Sequence, residues 1–133
     1  MDLKLRGRSA LVTGGSKGIG FAIAQYLAAE GCSLTLVSRT GAELASASER
    51  LHQQYGVPVT ALAMNIAERG GAQRLAANCP DLDILVNNAG STPRGTLLEV
   101  DEERFRAAFD LKVFGYINLC REFYRQMKAR GRG

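Results

Sequence analysis

The stretch Val12-Thr13-Gly14-Gly15-Ser16-Lys17-Gly18-Ile19-Gly20 constrains this chain more than any other. It follows Ala10-Leu11-Val12, an apolar run that reads as a buried strand. It opens a segment in which Ile19, Ile23 and Leu27 recur every four residues, which predicts one apolar stripe on a helix. A glycine-rich turn between strand and helix presents backbone N–H groups with no side chain in the way. The helix N-terminus adds its positive end. A phosphate needs both. The strand before the turn and the helix after it raise the signal above that of a lone glycine motif and imply a dinucleotide site.

The rest of the chain repeats the alternation. Leu34-Thr35-Leu36-Val37, Val57-Pro58-Val59-Thr60-Ala61-Leu62-Ala63 and Leu82-Asp83-Ile84-Leu85-Val86 read as three further strands. Gly31 reads as the stop of the first helix. Thr40-Gly41-Ala42-Glu43 has the capping-box pattern, in which Thr40 and Glu43 satisfy free amides reciprocally. A third helix is expected over residues 67–77. Residues 101–128 read as helical throughout, with a break near Phe114-Gly115. Strict alternation of strand and helix means an α/β fold, a Rossmann-type doubly wound parallel sheet with right-handed crossovers and strand order 3-2-1-4. The strands read as apolar on both faces, as in a sheet covered by helices on both sides. The polar run Gly90-Ser91-Thr92-Pro93-Arg94-Gly95 follows the fourth strand, where open α/β sheets place their ligands.

Composition narrows the class. The 133 residues are 46% hydrophobic and 23% charged, an ordinary globular balance for one domain or part of one. No apolar run approaches bilayer-spanning length, and the start does not read as a signal peptide. Cys32, Cys79 and Cys120 are odd in number, far apart and without a Cys-x-x-Cys. They argue against a disulfide framework or a metal site and fit a reducing cytoplasm. The formal net charge is +4. From Arg121 onward stand Arg121, Arg125, Lys128, Arg130 and Arg132 against Glu122 alone, a surplus that equals the whole excess. Nucleic-acid binding would interleave such cations with stacking aromatics; here they read as cations near a helix C-terminus, where the macrodipole favours them. His52, the single histidine, has no partner pattern and reads as surface.

The glycine loop has the spacing Thr-Gly-x-x-x-Gly-x-Gly, and Leu85-Val86-Asn87-Asn88-Ala89-Gly90 follows the fourth strand. Together they resemble the short-chain dehydrogenase/reductase family. The resemblance runs through essentially the whole chain, to Met127-Lys128-Ala129-Arg130-Gly131. It implies that residues 1–133 are the nucleotide-binding half of a single domain. The implied reaction is hydride transfer between a nicotinamide and a small carbonyl or alcohol substrate. The implied cofactor contacts are Gly14, Ser16, Lys17, Gly18, Ile19 and Gly20 in the loop, Ser38 and Arg39 after the second strand, Asn65 and Ile66 after the third, and Asn88, Ala89 and Gly90 after the fourth. Asn87 is expected to brace the neighbouring strand.

The end of the second strand bears on cofactor choice. A carboxylate there would accept hydrogen bonds from an adenosine ribose and favour NAD. This chain has Ser38-Arg39-Thr40 and no acid. Arg39 offers a planar fork of donors to a 2′-phosphate, and Lys17 adds a second cation, so the expectation is NADP rather than NAD.

Tyr124 and Lys128 stand four apart, the spacing of the family's catalytic tyrosine and lysine. In the family that pair follows a fifth strand carrying a serine, and no strand intervenes here between Val86 and Tyr124. The pair is therefore read as coincidental, with no catalytic residue in this chain. The sequence stops where the fifth strand should begin, so the chain alone is expected to be inactive. Lys112 occupies the place of an asparagine that often orders a proton-relay water in the family, and a charged lysine cannot accept a hydrogen bond. These last points favour a rival reading, a non-catalytic nucleotide-binding or scaffold protein or an inactive fragment. The long helix over 101–128, with Phe105, Phe109, Val113 and Phe114 on one face, is expected to carry a homo-oligomer.

Overall fold

The computed structural model describes residues 3–133. Four strands form one parallel sheet: β1 (Ser9–Thr13), β2 (Ser33–Ser38), β3 (Val59–Ala63) and β4 (Ile84–Val86). Their order is β3-β2-β1-β4, as expected, with Leu11 level with Thr35 and Leu85 across β1. The crossovers are α1 (Gly18–Ala29), α2 (Gly41–Tyr55) and α3 (Gly71–Asn78). After β4 come α4 (Glu102–Phe109) and α5 (Tyr116–Arg130).

Alternation along β1 divides the core in two. Ala10 and Val12 join Ala24, Ala28, Leu44 and Leu51 under α1 and α2. Leu11 points the other way and joins Leu75, Leu119 and Phe123 under α3 and α5. Only the two inner strands are apolar on both faces. β3, at the edge, has only Val59 and Leu62 half-buried, with Thr60, Ala61 and Ala63 exposed, and β4 is half-buried throughout.

Several local expectations are corrected. The buried stripe of α1 is Gly20, Ala24 and Ala28, small residues that let the helix lie close on the sheet. Ile23 and Leu27 flank it, while Ile19 is 75% exposed. Both sets recur every four residues, one position apart on the helix, so the spacing alone does not say which of them meets the sheet. The capping box does not form. Thr40 is the N-cap of α2 but makes no side-chain cap bond; Glu43 turns to Lys17, and the Thr40 amide donates to Ser38 Oγ instead. The third helix begins at Gly71, not at 67, because Asn65 Oδ1 accepts from Ala67 N at 3.0 Å and holds a turn there. Gly31 does end the first helix, at φ +85°, with Cys32 N bonded to Leu27 O.

The long helical region does not break at Phe114-Gly115. Asp110–Gly115 is a π-helical stretch that joins α4 to α5 without a gap. Asp101 caps α4 by accepting from Arg104 N at 2.9 Å, with Glu102 and Glu103 in its first turn.

The basic tail is tied down. Gly131 caps α5 at φ +72° and turns the chain back. Arg130 donates to Leu82 O, and Arg132 Nε lies 3.3 Å from Asp83 Oδ1. Arg8 approaches the same carboxylate, and Ser9 N donates to it at 3.0 Å. Burial would raise the Asp83 pKa, but the Ser9 amide with Arg132, Arg8 and Arg130 outweighs it, and the carboxyl is held below its ordinary range.

Candidate functional site

The C-terminal ends of the strands open into a cavity of about 610 Å³. Gly14, Ser16, Lys17, Ile19, Ser38, Arg39, Asn65, Ile66, Asn88, Ala89 and Gly90, among the residues that the resemblance assigns to cofactor contact, all line it. Gly18 and Gly20 do not. Gly18 takes the left-handed turn at φ +57°. Gly20 lies under the loop, where an added Cβ would run into the Gly14 carbonyl and the Asn88 amide.

Two loops meet over the end of β1. The buried Thr13 hydroxyl accepts from Asn88 N and Ala89 N, each at 3.0 Å, and donates to Val86 O at 3.3 Å. One donor and two acceptor sites are thus all used. Asn88 Nδ2 returns the connection, donating to Thr13 O at 3.1 Å and Gly14 O at 3.2 Å. The side chain that braces the neighbouring strand is therefore Asn88, not Asn87 as the sequence suggested. Asn87 lines the cavity and donates from Nδ2 to Cys120 Sγ at 3.2 Å. Gly14, at φ +67°, leaves no room for a side chain: a Cβ there would come within 3.0 Å of Ala89 Cα.

Charge collects at the end of the cavity between the glycine loop and α2. Lys17 Nζ lies 3.1 Å from Glu43 Oε1, and Ser16 Oγ donates to Glu43 Oε2 at 3.5 Å. Arg39 and Thr40 line the same cavity. Among the described residues Arg39 makes no ion pair. It also borders a second, open cavity of about 760 Å³ shared with Arg94 and Arg104.

The other end is built by the π-helical stretch. Its wide turn brings Leu111, Lys112 and Tyr116 to one wall. Gly115 packs against Ile66. Tyr116 Oη donates to Ala89 O at 2.5 Å, and burial pushes its phenol pKa up. The Lys112 stem passes over Gly90, within 2.5 Å of where a Cβ would stand.

The sequence reading missed Thr13, Glu43 and Tyr116. Thr13 stood in the glycine motif, and its hydroxyl beside an Asn-Asn pair was the available signal. Glu43 was absorbed by the capping pattern. Tyr116 depends on the π-helical turn and had no signal. Tyr124 and Lys128 are exposed and do not line the cavity. His52 is exposed, with Nδ1 2.9 Å from Val57 O. Among the described residues no group of three His, Cys, Asp or Glu side chains could hold a metal ion, and no helix is long and apolar enough to cross a membrane.

The residues present fit a dinucleotide. Glycine-loop backbone at Gly14 lines the cavity, cations stand at one end, and a mixed polar and apolar wall continues to the other. Fold and cavity together define the class: a Rossmann-type α/β domain whose glycine loop opens at the C-terminal edge of a parallel sheet. The chain belongs to the short chain dehydrogenase family, whose family model matches residues 8–133.

L-xylulose reductase of Bos taurus is 34% identical over 131 residues, covering 98% of this chain and 52% of that protein. A 3-oxoacyl-[acyl-carrier-protein] reductase of Chlamydia trachomatis is 30% identical over 128 residues, covering 92% of this chain and 52% of that protein. Among solved structures, L-sorbose reductase from Gluconobacter frateurii complexed with NADPH and L-sorbose superposes at TM-score 0.90 and 35% identity, covering 98% of this chain and 51% of that chain. The chain thus spans about half the length of these relatives.

Proposed function

We propose that this chain binds NADP in the cavity at the sheet's C-terminal edge and serves as the nucleotide-binding half of an oxidoreductase acting on a small carbonyl or alcohol substrate. When bound, the nicotinamide supplies hydride chemistry; the protein positions it. The observation that carries the reading is the pair of cations, Lys17 and Arg39, lining one end of the cavity with no acid at the end of β2. Arg39, which makes no ion pair among the described residues, presents a fork of donors suited to a phosphomonoester. Gly14 brings loop backbone to the cavity, and Gly18 turns the chain into α1, whose N-terminus would face the pyrophosphate. Asn65 and Ile66 form the side of the cavity assigned to the adenine, and Asn88, Ala89 and Gly90 continue it past the sheet.

NADPH-bound relatives of similar structure support the choice of cofactor. Lys112 lines the far end and offers a charge where the family commonly offers an amide. The exposed apolar face on α4 and the π-helical stretch supports assembly with a second copy of the chain.

Calorimetric titration of NADP and NAD tests the reading. A charge-assisted hydrogen bond contributes about 1.5–3 kcal/mol, so Arg39→Ala is expected to weaken NADP binding by roughly tenfold or more while barely changing NAD. Equal losses for the two cofactors would refute the assignment.

A further inference from the structure

The cation that the cavity offers at Lys17 is not free. Glu43 Oε1 holds its ammonium at 3.1 Å, and Glu43 Oε2 also accepts from Ser16 Oγ. All three side chains line the cavity, as does Arg39. Glu43 sits in the first turn of α2, three residues past the N-cap Thr40, and makes no capping bond that would explain its orientation. Its carboxylate instead faces the glycine loop across the cleft.

We propose that Glu43 is a specificity-determining residue that lowers discrimination for the 2′-phosphate by competing with it for Lys17. This rests on the reading of the cavity as an NADP site. A phosphomonoester entering between Lys17 and Arg39 must displace the carboxylate, and any Glu43 that stays nearby repels the dianion. An NAD ribose carries no such charge and leaves the ion pair undisturbed. Glu43 thus reduces the net charge facing the phosphate from two cations to one. Both partners are substantially exposed, so the competition is modest, in the range of an exposed ion pair.

The test is calorimetric titration of the purified protein with NADP, NAD, 2′,5′-ADP and 5′-AMP, for wild type, Glu43→Gln, Lys17→Met, the double variant and Arg39→Ala. Glu43→Gln keeps the shape of the side chain, and thermal melts verify that each variant is folded. Glu43→Gln is expected to tighten NADP and 2′,5′-ADP by about two- to fivefold and to leave NAD and 5′-AMP unchanged. In the Lys17→Met background the gain should shrink to the repulsion alone. Unchanged NADP affinity in Glu43→Gln overturns the proposal, as does weakened NAD binding, which would make Glu43 a ribose acceptor. The Arg39→Ala arm separates the two readings. If Arg39→Ala lowers NADP selectively while Glu43→Gln changes nothing, only the role of Glu43 fails. If Arg39→Ala leaves the NADP to NAD ratio unchanged, the cofactor reading fails, and this inference with it.

Discussion

The Thr13 hydroxyl receives the backbone amides of both Asn88 and Ala89, each at 3.0 Å, and so fastens the loop after β4 to the end of β1. Thr13 is fully buried. Thr13→Val keeps the shape and removes the acceptor, leaving two amides without their partner. An unsatisfied buried donor costs about 1–3 kcal/mol. The variant is therefore expected to melt earlier by a shift of that size in chemical denaturation, and to bind nucleotide more weakly because Ala89 and Gly90 lose their anchor. Unchanged stability would show that the amides find another acceptor.

Gly20 has ordinary helical backbone, so its requirement is steric rather than conformational. A Cβ would meet the Gly14 carbonyl and the Asn88 amide that together hold the loop. Gly20→Ala is expected to destabilise by about 1–3 kcal/mol, the usual cost of overpacking. Gly18→Ala is a useful contrast: its Cβ would meet open space, and only the positive φ opposes it. Equilibrium denaturation of both variants distinguishes a clash from a conformational penalty. If Gly20→Ala is as stable as wild type, the loop has more freedom than this packing allows.

Asp83 gives the fold a defined acid response. Burial would raise its pKa, but the Ser9 amide and Arg132, Arg8 and Arg130 lower it further. A carboxyl depressed in the folded state contributes stability that is fully present above its unfolded pKa, about 3.9. That contribution is lost as pH falls through the folded value beneath it. Asp83→Asn should therefore cost about 1–3 kcal/mol near neutrality. The gap from wild type should narrow as pH falls below about 4. A gap independent of pH would mean that the residue acts by packing alone.

Tyr124 and Lys128 provide the negative control. Tyr124 is 66% exposed, and neither residue lines the cavity. Tyr124→Phe and Lys128→Met are expected to change stability by no more than about 0.5 kcal/mol and to leave nucleotide affinity untouched. A loss of nucleotide binding on either substitution would place the pair in the site after all.

What the sequence made legible was whatever a short window carries. Glycines at a strand-to-helix turn, an apolar run of fixed length and a dipeptide such as Asn87-Asn88 are local, and they located the sheet order and most of the cavity wall. What stayed hidden depended on competition between distant groups. Glu43 could cap its own helix or reach Lys17, and the local pattern showed only the first option. Asn87 and Asn88 are adjacent and chemically identical, so the dipeptide itself does not say which amide faces Thr13. Tyr116 enters the cavity because the preceding turn is π-helical, a change in helical period that neither Asp110 nor Gly115 signals by itself.

The apolar face of α4 and the π-helical stretch leads to the last prediction. Phe105, Phe109, Val113, Phe114 and Ile117 are between 37% and 58% exposed. Phe105, Phe109 and Phe114 border one shallow groove, rimmed by Glu102, Arg106 and Asp110. The spacing explains the groove: Phe105 and Phe109 lie one helical turn apart, and the wider π turn carries Phe114 onto the same side. Apolar surface gains about 25 cal/mol for each Å² removed from water, and a charged rim around an apolar centre is the usual form of an interface. A second copy of the chain is the expected occupant. Wild-type protein is expected to associate in size-exclusion chromatography with light scattering, and Phe109→Glu and Phe114→Glu, which place a carboxylate in the centre of that groove, are expected to run as monomers. The sheet core, which neither residue joins, should keep its cooperative melt. A wild-type protein that runs as a stable monomer at high concentration would remove the basis for this face as an interface.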